Sequence, residues 1–151
     1  YEFVLETAKL ARERGLANVL VTNGFVSPDP LEELLPFIDA MNIDLKSFSD
    51  DFYRKVCGGR LEPVLETIKR SARSCHVELT TLLIPTLNDS DEEIARLAEW
   101  VADEVGKETP LHLSRYFPCY KLTLPATPVE TLRRAERIAK EKLKYVYVGN
   151  V

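Results

Sequence analysis

Helix-like and strand-like segments alternate from one end of this chain to the other, and that alternation limits the possible fold more than any other feature. Val64, Ile68 and Ala72 mark one helical face between 63 and 73, and Val129, Leu132, Ala135 and Ile138 mark another between 129 and about 143. Ser90-Asp91-Glu92-Glu93 and Thr127-Pro128-Val129-Glu130 have the form of capping boxes, in which a hydroxyl and a carboxylate three residues on satisfy free amides at a helix start. The first predicts a helix over 91–105, stopped by Gly106. Tyr1, Val4, Leu5, Ala8 and Ala11 form an opening helix that Gly15 ends, with no capping residue before it, as if the chain were entered in mid-element. A Ser27-Pro28-Asp29-Pro30 turn leads into a short helix over 31–37, and a helical turn over 50–55 is stopped by Gly58-Gly59.

Between these lie β-type runs at 18–23, 41–47, 77–84, 111–117 and 144–148. Alternation without linkers or repeats predicts an α/β fold with a parallel sheet of right-handed crossovers. A closed barrel needs more strands than these. The expected architecture is a partial (β/α) barrel with about four parallel barrel strands, helices outside and a short C-terminal strand, residues 1–151 being the C-terminal portion of one domain.

Three of the runs are polar on one side. In Met41-Asn42-Ile43-Asp44-Leu45-Lys46-Ser47, side chains two apart share a face, so Met41, Ile43 and Leu45 point one way and Asn42, Asp44 and Lys46 the other. Glu78 and Thr80 alternate with Val77 and Leu79, and His112, Ser114 and Tyr116 with Leu111 and Leu113. If these strands are neighbours, their polar faces line one wall, and loops after the strands gather at the carboxyl edge, where α/β proteins bind ligands.

Composition narrows the classes. A chain of 151 residues with net charge −4 has material for one core and no basic field to gather phosphates, which argues against nucleic-acid binding. No apolar run approaches the roughly 18 residues that span a bilayer, and no signal-peptide pattern opens the chain, so a soluble, cytoplasmic protein without membrane partners is expected. Cys57, Cys75 and Cys119 are too widely spaced for a chelating pair and are expected to be reduced thiols.

The order and spacing of Thr22-Asn23-Gly24-Phe25, Asn42-Ile43-Asp44-Leu45-Lys46-Ser47-Phe48 and Leu83-Ile84-Pro85 with Asn88-Asp89 resembles radical S-adenosylmethionine (SAM) enzymes of the pyruvate formate-lyase activating type. The segments His112-Leu113-Ser114-Arg115-Tyr116-Phe117-Pro118 and Thr127-Pro128-Val129-Glu130-Thr131-Leu132 resemble the AmmeMemoRadiSam-system branch in particular. The resemblance implies a six-stranded partial barrel of which this chain supplies the last four strands. It implies reductive cleavage of SAM at a [4Fe-4S] cluster to a 5′-deoxyadenosyl radical, which abstracts hydrogen from a substrate of unassigned identity, a protein or peptide among the candidates, with flavodoxin or ferredoxin as electron donor. The C-x-x-x-C-x-x-C loop that holds the cluster is not among these residues, nor is the G-G-E segment that meets the SAM amino group.

By the same resemblance the cofactor-facing residues are Asn23, Asp44, Lys46, Thr80, Leu82 and Phe117, with Lys46 set to meet the methionyl carboxylate. His112, Arg115 and Tyr116 are candidates for the substrate wall. Val21 stands where activating enzymes carry an aspartate tied to a cation site, and valine ligates no cation, so no metal site is carried over.

Plainer readings stand beside these. Asp44 and Lys46 also fit a structural ion pair, His76 a surface residue, and His112 a satisfied structural histidine. Two rival functions remain. A Schiff-base lyase or aldolase would use Lys46 as its amine, although a neighbouring carboxylate holds a lysine protonated when imine formation needs it free. A non-catalytic binding piece would self-associate through its open sheet edges.

Overall fold

The computed structural model describes residues 1–151. Its elements alternate as α1 (Glu2–Glu13), β1 (Val19–Thr22), α2 (Pro28–Leu34), β2 (Ala40–Asp44), α3 (Asp50–Phe52), α4 (Leu61–Ala72), β3 (His76–Leu83), α5 (Asp91–Glu104), β4 (Leu111–Arg115), α6 (Val129–Lys140) and β5 (Val146–Gly149). A 3-10 turn, Leu35–Phe37, extends α2, and a π-type turn, Tyr53–Cys57, extends α3 until Gly58 ends it in the left-handed conformation. All five strands are parallel and stand in chain order, each hydrogen-bonded to the next. Chain order across a parallel sheet is what successive crossovers of one hand produce, and it is the order of a barrel wall.

The helices cover one face of this sheet only. Met41, Ile43, Leu79, Leu83, Leu111 and Leu113 are almost fully buried there, against Val64 and Ile68 of α4, Leu97 and Val101 of α5 and Leu132 and Ala135 of α6. Each such fully buried aliphatic side chain contributes roughly 1.5–3 kcal/mol relative to exposure. The other face lacks a covering layer. Asn42, Asp44, Glu78, Thr80 and His112 stand there half-buried, and Val19, Val21 and Tyr147 are exposed on it. A parallel sheet normally has both faces covered, and here the uncovered one is the concave, polar wall that strand alternation predicts.

Two helix starts differ from the sequence expectation. Ser90 does cap α5, its Oγ accepting from the Glu93 amide, but the Glu93 carboxylate turns away from the cap. Thr127 does not cap α6. Its hydroxyl donates to Leu83 O at 2.6 Å and accepts from Tyr116 N, tying the ends of β3 and β4 together, and Pro128 precedes the helix without a side-chain cap. Pairing of β2 stops at Asp44, so Leu45–Phe48 runs on without a ladder.

Candidate functional site

Asp44 and Lys46 sit two residues apart at the carboxyl end of β2, and their side chains meet on the uncovered face with Lys46 Nζ donating to Asp44 Oδ2 at 2.7 Å. Both remain about one-third exposed, so the pair is accessible to a ligand and is not sealed inside a core. Register places Thr80 beside Asp44, and the Thr80 hydroxyl donates to Asn42 Oδ1 at 2.8 Å. Thr80 in turn pairs with His112, and His112 with Tyr147, whose rings stack at 5.3 Å. One row across the sheet thus reads Asp44, Thr80, His112, Tyr147, with Leu82 and Ser114 one step nearer the carboxyl edge.

Below that row, toward the amino edge, Glu78 accepts from Nε2 of both His112 (2.7 Å) and His76 (3.2 Å). The hydrogen bond from His76, then that from His112, holds the Glu78 carboxyl below its ordinary range. His112 is therefore committed to Glu78 and Tyr147. It belongs to the wall, at its floor.

Arg115, Tyr116 and Phe117 are placed differently from the expectation. Alternation puts Arg115 on the same side as the buried Leu111 and Leu113, and its Nε donates to Thr127 O at 2.8 Å, so it does not face the groove. Tyr116 is 5% exposed and spends its hydroxyl on Leu122 O, within a small apolar cluster with Phe52 and Ile84 that Leu82, Leu122 and Leu124 adjoin. Phe117, beyond the strand, is half exposed with the Arg115 guanidinium 4.8 Å from its ring centre, so one face of the ring is already taken. For Arg115 the alternation already pointed to the helix side; for Tyr116 and Phe117 it carries no information, because β4 ends at Arg115.

Asn23 lies at the carboxyl edge, its Oδ1 accepting from Phe25 N in a local turn. It lines, with Phe25, Lys46, Tyr53, Cys57 and Gly59, a cleft of about 400 Å³. A cleft of about 440 Å³ at the opposite end, around Arg12, Glu32 and Asp39, opens at the amino edge, away from the Asp44–Lys46 pair. The carboxyl-edge cleft is the one that shares Lys46, and Tyr53 and Cys57 in its wall carry no signal in the sequence pattern. Burial pushes both the Tyr53 hydroxyl and the Cys57 thiol up from their ordinary values.

These residues do not fit an iron–sulfur cluster. Cys57 and Cys119 are exposed, Cys75 lies at the opposite edge of the sheet before β3, and no three His, Cys, Asp or Glu side chains converge to hold a metal ion. A zwitterionic ligand fits better, since one ammonium, one carboxylate, an amide and a hydroxyl stand on one accessible face.

A parallel sheet in chain order with helices on one face and its polar face bare is the wall of a partial (β/α) barrel, and the sequence matches the Radical SAM superfamily over residues 1–98. The chain belongs to that superfamily, whose members are enzymes. Among its relatives, an uncharacterized protein of Methanocaldococcus jannaschii is 50% identical over all of this chain and 45% of its own length. Pyruvate formate-lyase 1-activating enzyme of Escherichia coli K12 is 31% identical over 76% of this chain and 48% of its own. A crystal structure of a domain of pyruvate-formate lyase-activating enzyme from Bacteroides vulgatus superposes with a TM-score of 0.87 at 19% identity, covering 99% of this chain and 91% of that one. The chain spans about half the length of the curated relatives it matches. It is an activating-enzyme-like member of the radical SAM class, and no helix in it is long and apolar enough to cross a membrane.

Proposed function

We propose that this chain is the C-terminal, SAM-facing portion of a radical SAM enzyme of the activating type. The observation that carries the reading is the accessible Asp44–Lys46 pair at the carboxyl end of β2, above the hydrogen-bonded Thr80 and Asn42. Lys46 meets the methionyl carboxylate through a charge-assisted hydrogen bond, and Asp44 orients the lysine and accepts from an amine or hydroxyl of the ligand. Thr80 and Leu82 form the floor for ribose and adenine, with Phe117 and Asn23 at the rim. In such enzymes SAM supplies, on reductive cleavage, the carbon radical that takes hydrogen from the substrate. The cluster and its electron donor, a flavodoxin or ferredoxin, engage residues outside this chain. His112, held by Glu78 and Tyr147, forms part of the wall on the substrate's side, and the likeness to activating enzymes supports a protein or peptide substrate. A cytoplasmic location accords with that chemistry.

The Schiff-base alternative is disfavoured by the 2.7 Å hydrogen bond to Asp44, which occupies the amine that imine formation would need free. Calorimetric titration of the chain with SAM separates the readings. Binding is expected, and Lys46→Met should weaken it about tenfold or more, the loss of one hydrogen bond between charged groups at about 1.5–3 kcal/mol. Equal affinity in the variant would refute the assignment of Lys46, and borohydride-trapped substrate on Lys46 would support the rival.

A further inference from the structure

The ammonium that defines the site hangs from a piece of chain that the sheet itself does not hold. Ladder pairing of β2 ends at Asp44, yet Leu45 is fully buried and Ser47 nearly so, and the backbone between Leu45 and Phe48 is fixed by side chains from four other places. The Thr81 hydroxyl donates to Leu45 O at 2.7 Å. The Lys46 amide donates to the Tyr53 hydroxyl at 3.0 Å, and Lys46 O accepts from Asn88 Nδ2 at 2.7 Å. Asn88, 2% exposed, spends its other amide hydrogen on Leu82 O and its oxygen on Ile84 N, so one side chain locks the ends of β2 and β3 together. Glu93 completes the hold from the first turn of α5. Its carboxylate accepts from the Ser47 hydroxyl and from Phe48 N at 3.0 Å.

Glu93 stands where a capping box would send its carboxylate back to Ser90, and a solvent-facing glutamate at that position would need no partner. Instead it reaches a segment 45 residues away in sequence and closes the turn that follows Lys46. Neither Glu93 nor Asn88 hydrogen-bonds to the Asp44 carboxylate or the Lys46 ammonium, which bond to each other. We infer that Glu93 and Asn88 are positioning residues, a clamp from α5 and the β3–α5 connection that fixes the backbone of Lys46 so that its ammonium meets the ligand carboxylate. A side chain with four rotatable bonds meets a small anion reproducibly only if its root is fixed; Asn88 holds the peptide group after Lys46 and Glu93 the next one, while Thr81 and Tyr53 hold the one before it.

The role rests on the proposed ligand, so the test carries one readout with the ligand and one without. The chain, its Glu93→Ala, Glu93→Gln and Asn88→Ser variants, and Glu92→Ala as an exposed control on the same helical turn are compared by amide hydrogen exchange and by titration with S-adenosylhomocysteine. Glu93→Ala is expected to speed exchange at Phe48 about tenfold and to weaken the ligand by a similar factor, because freeing a charged hydrogen-bond acceptor's partners loosens the turn. Glu92→Ala should change neither. Glu93→Gln keeps an acceptor for Phe48 N and should restore part of both effects, and Asn88→Ser should weaken binding while speeding exchange at Ile84. Loosened exchange with unchanged affinity in Glu93→Ala overturns the positioning role alone. Failure of the unaltered chain to bind overturns the ligand reading, and the positioning role with it.

Discussion

Gly24 shows how far a single residue position depends on its surroundings. It turns the chain off the end of β1 with φ +70°, and a Cβ there would come to 2.8 Å from Ile43 Cγ2 and 3.2 Å from Val64 Cγ1. Gly15 has nearly the same φ, +73°, with nothing within 4 Å. Alanine at Gly15 should therefore cost only the left-handed strain, about 1–2 kcal/mol, whereas Gly24→Ala adds crowding for a total of about 2–5 kcal/mol. Urea unfolding of both variants checks this, and equal losses would show that Ile43 and Val64 yield freely. The sequence announces both glycines as turn residues and cannot rank them, because the difference lies in what packs against each. Asp44 and Lys46 are the opposite case. Their spacing alone puts them on one strand face, and the structure joins them at 2.7 Å.

At the scale of elements, helices and strands were legible in periodicity, and their ends were not. The strand expected over 41–47 pairs only as far as Asp44, and the strand expected over 144–148 runs from Val146 to Gly149. Thr127 explains one such difference. Its sequence context is that of a cap, but a hydroxyl between two strand ends has stronger demands on it, from Leu83 O and Tyr116 N. Thr127→Val keeps the shape and leaves both buried backbone groups short of a partner, which should cost about 1–3 kcal/mol, while Thr127→Ser should stay close to the parent. Thermal unfolding of the pair distinguishes this from a capping role, in which valine would melt chiefly the first turn of α6. Arg115 failed as a groove residue for a related reason: it is the last residue of β4 and alternates onto the helix side.

The whole molecule presents a bare sheet face and a free strand edge. β1 has one neighbour, β2, and carries Val19 at 66% and Val21 at 74% exposure beside its free edge. Such an edge is a template for further strand pairing. The isolated chain is expected to self-associate in sedimentation velocity at high concentration, and Val21→Lys to shift it toward monomer. A parent chain that stays monomeric throughout would show that the edge is protected by its own shape. The same bare face leaves Asp44 and Lys46 open, so the property that should make this chain adhesive is also what exposes the pair proposed to meet the ligand.

The alternation of helices and strands, the polar strand faces and the family resemblance were all present in the sequence, because each depends on periods of two or 3.6 residues and on short local motifs that survive without tertiary contacts; that the strands stand side by side in chain order came from the structure. What the tertiary structure alone decided is where side chains act once the ladder ends: Glu93 and Asn88 onto the turn after Lys46, Thr127 between β3 and β4, and the Tyr116 hydroxyl onto Leu122 O. These contacts join residues about 6 to 45 positions apart, and their geometry is set by how helices settle on the sheet. No local pattern encodes that distance, so it becomes visible only when the chain has packed.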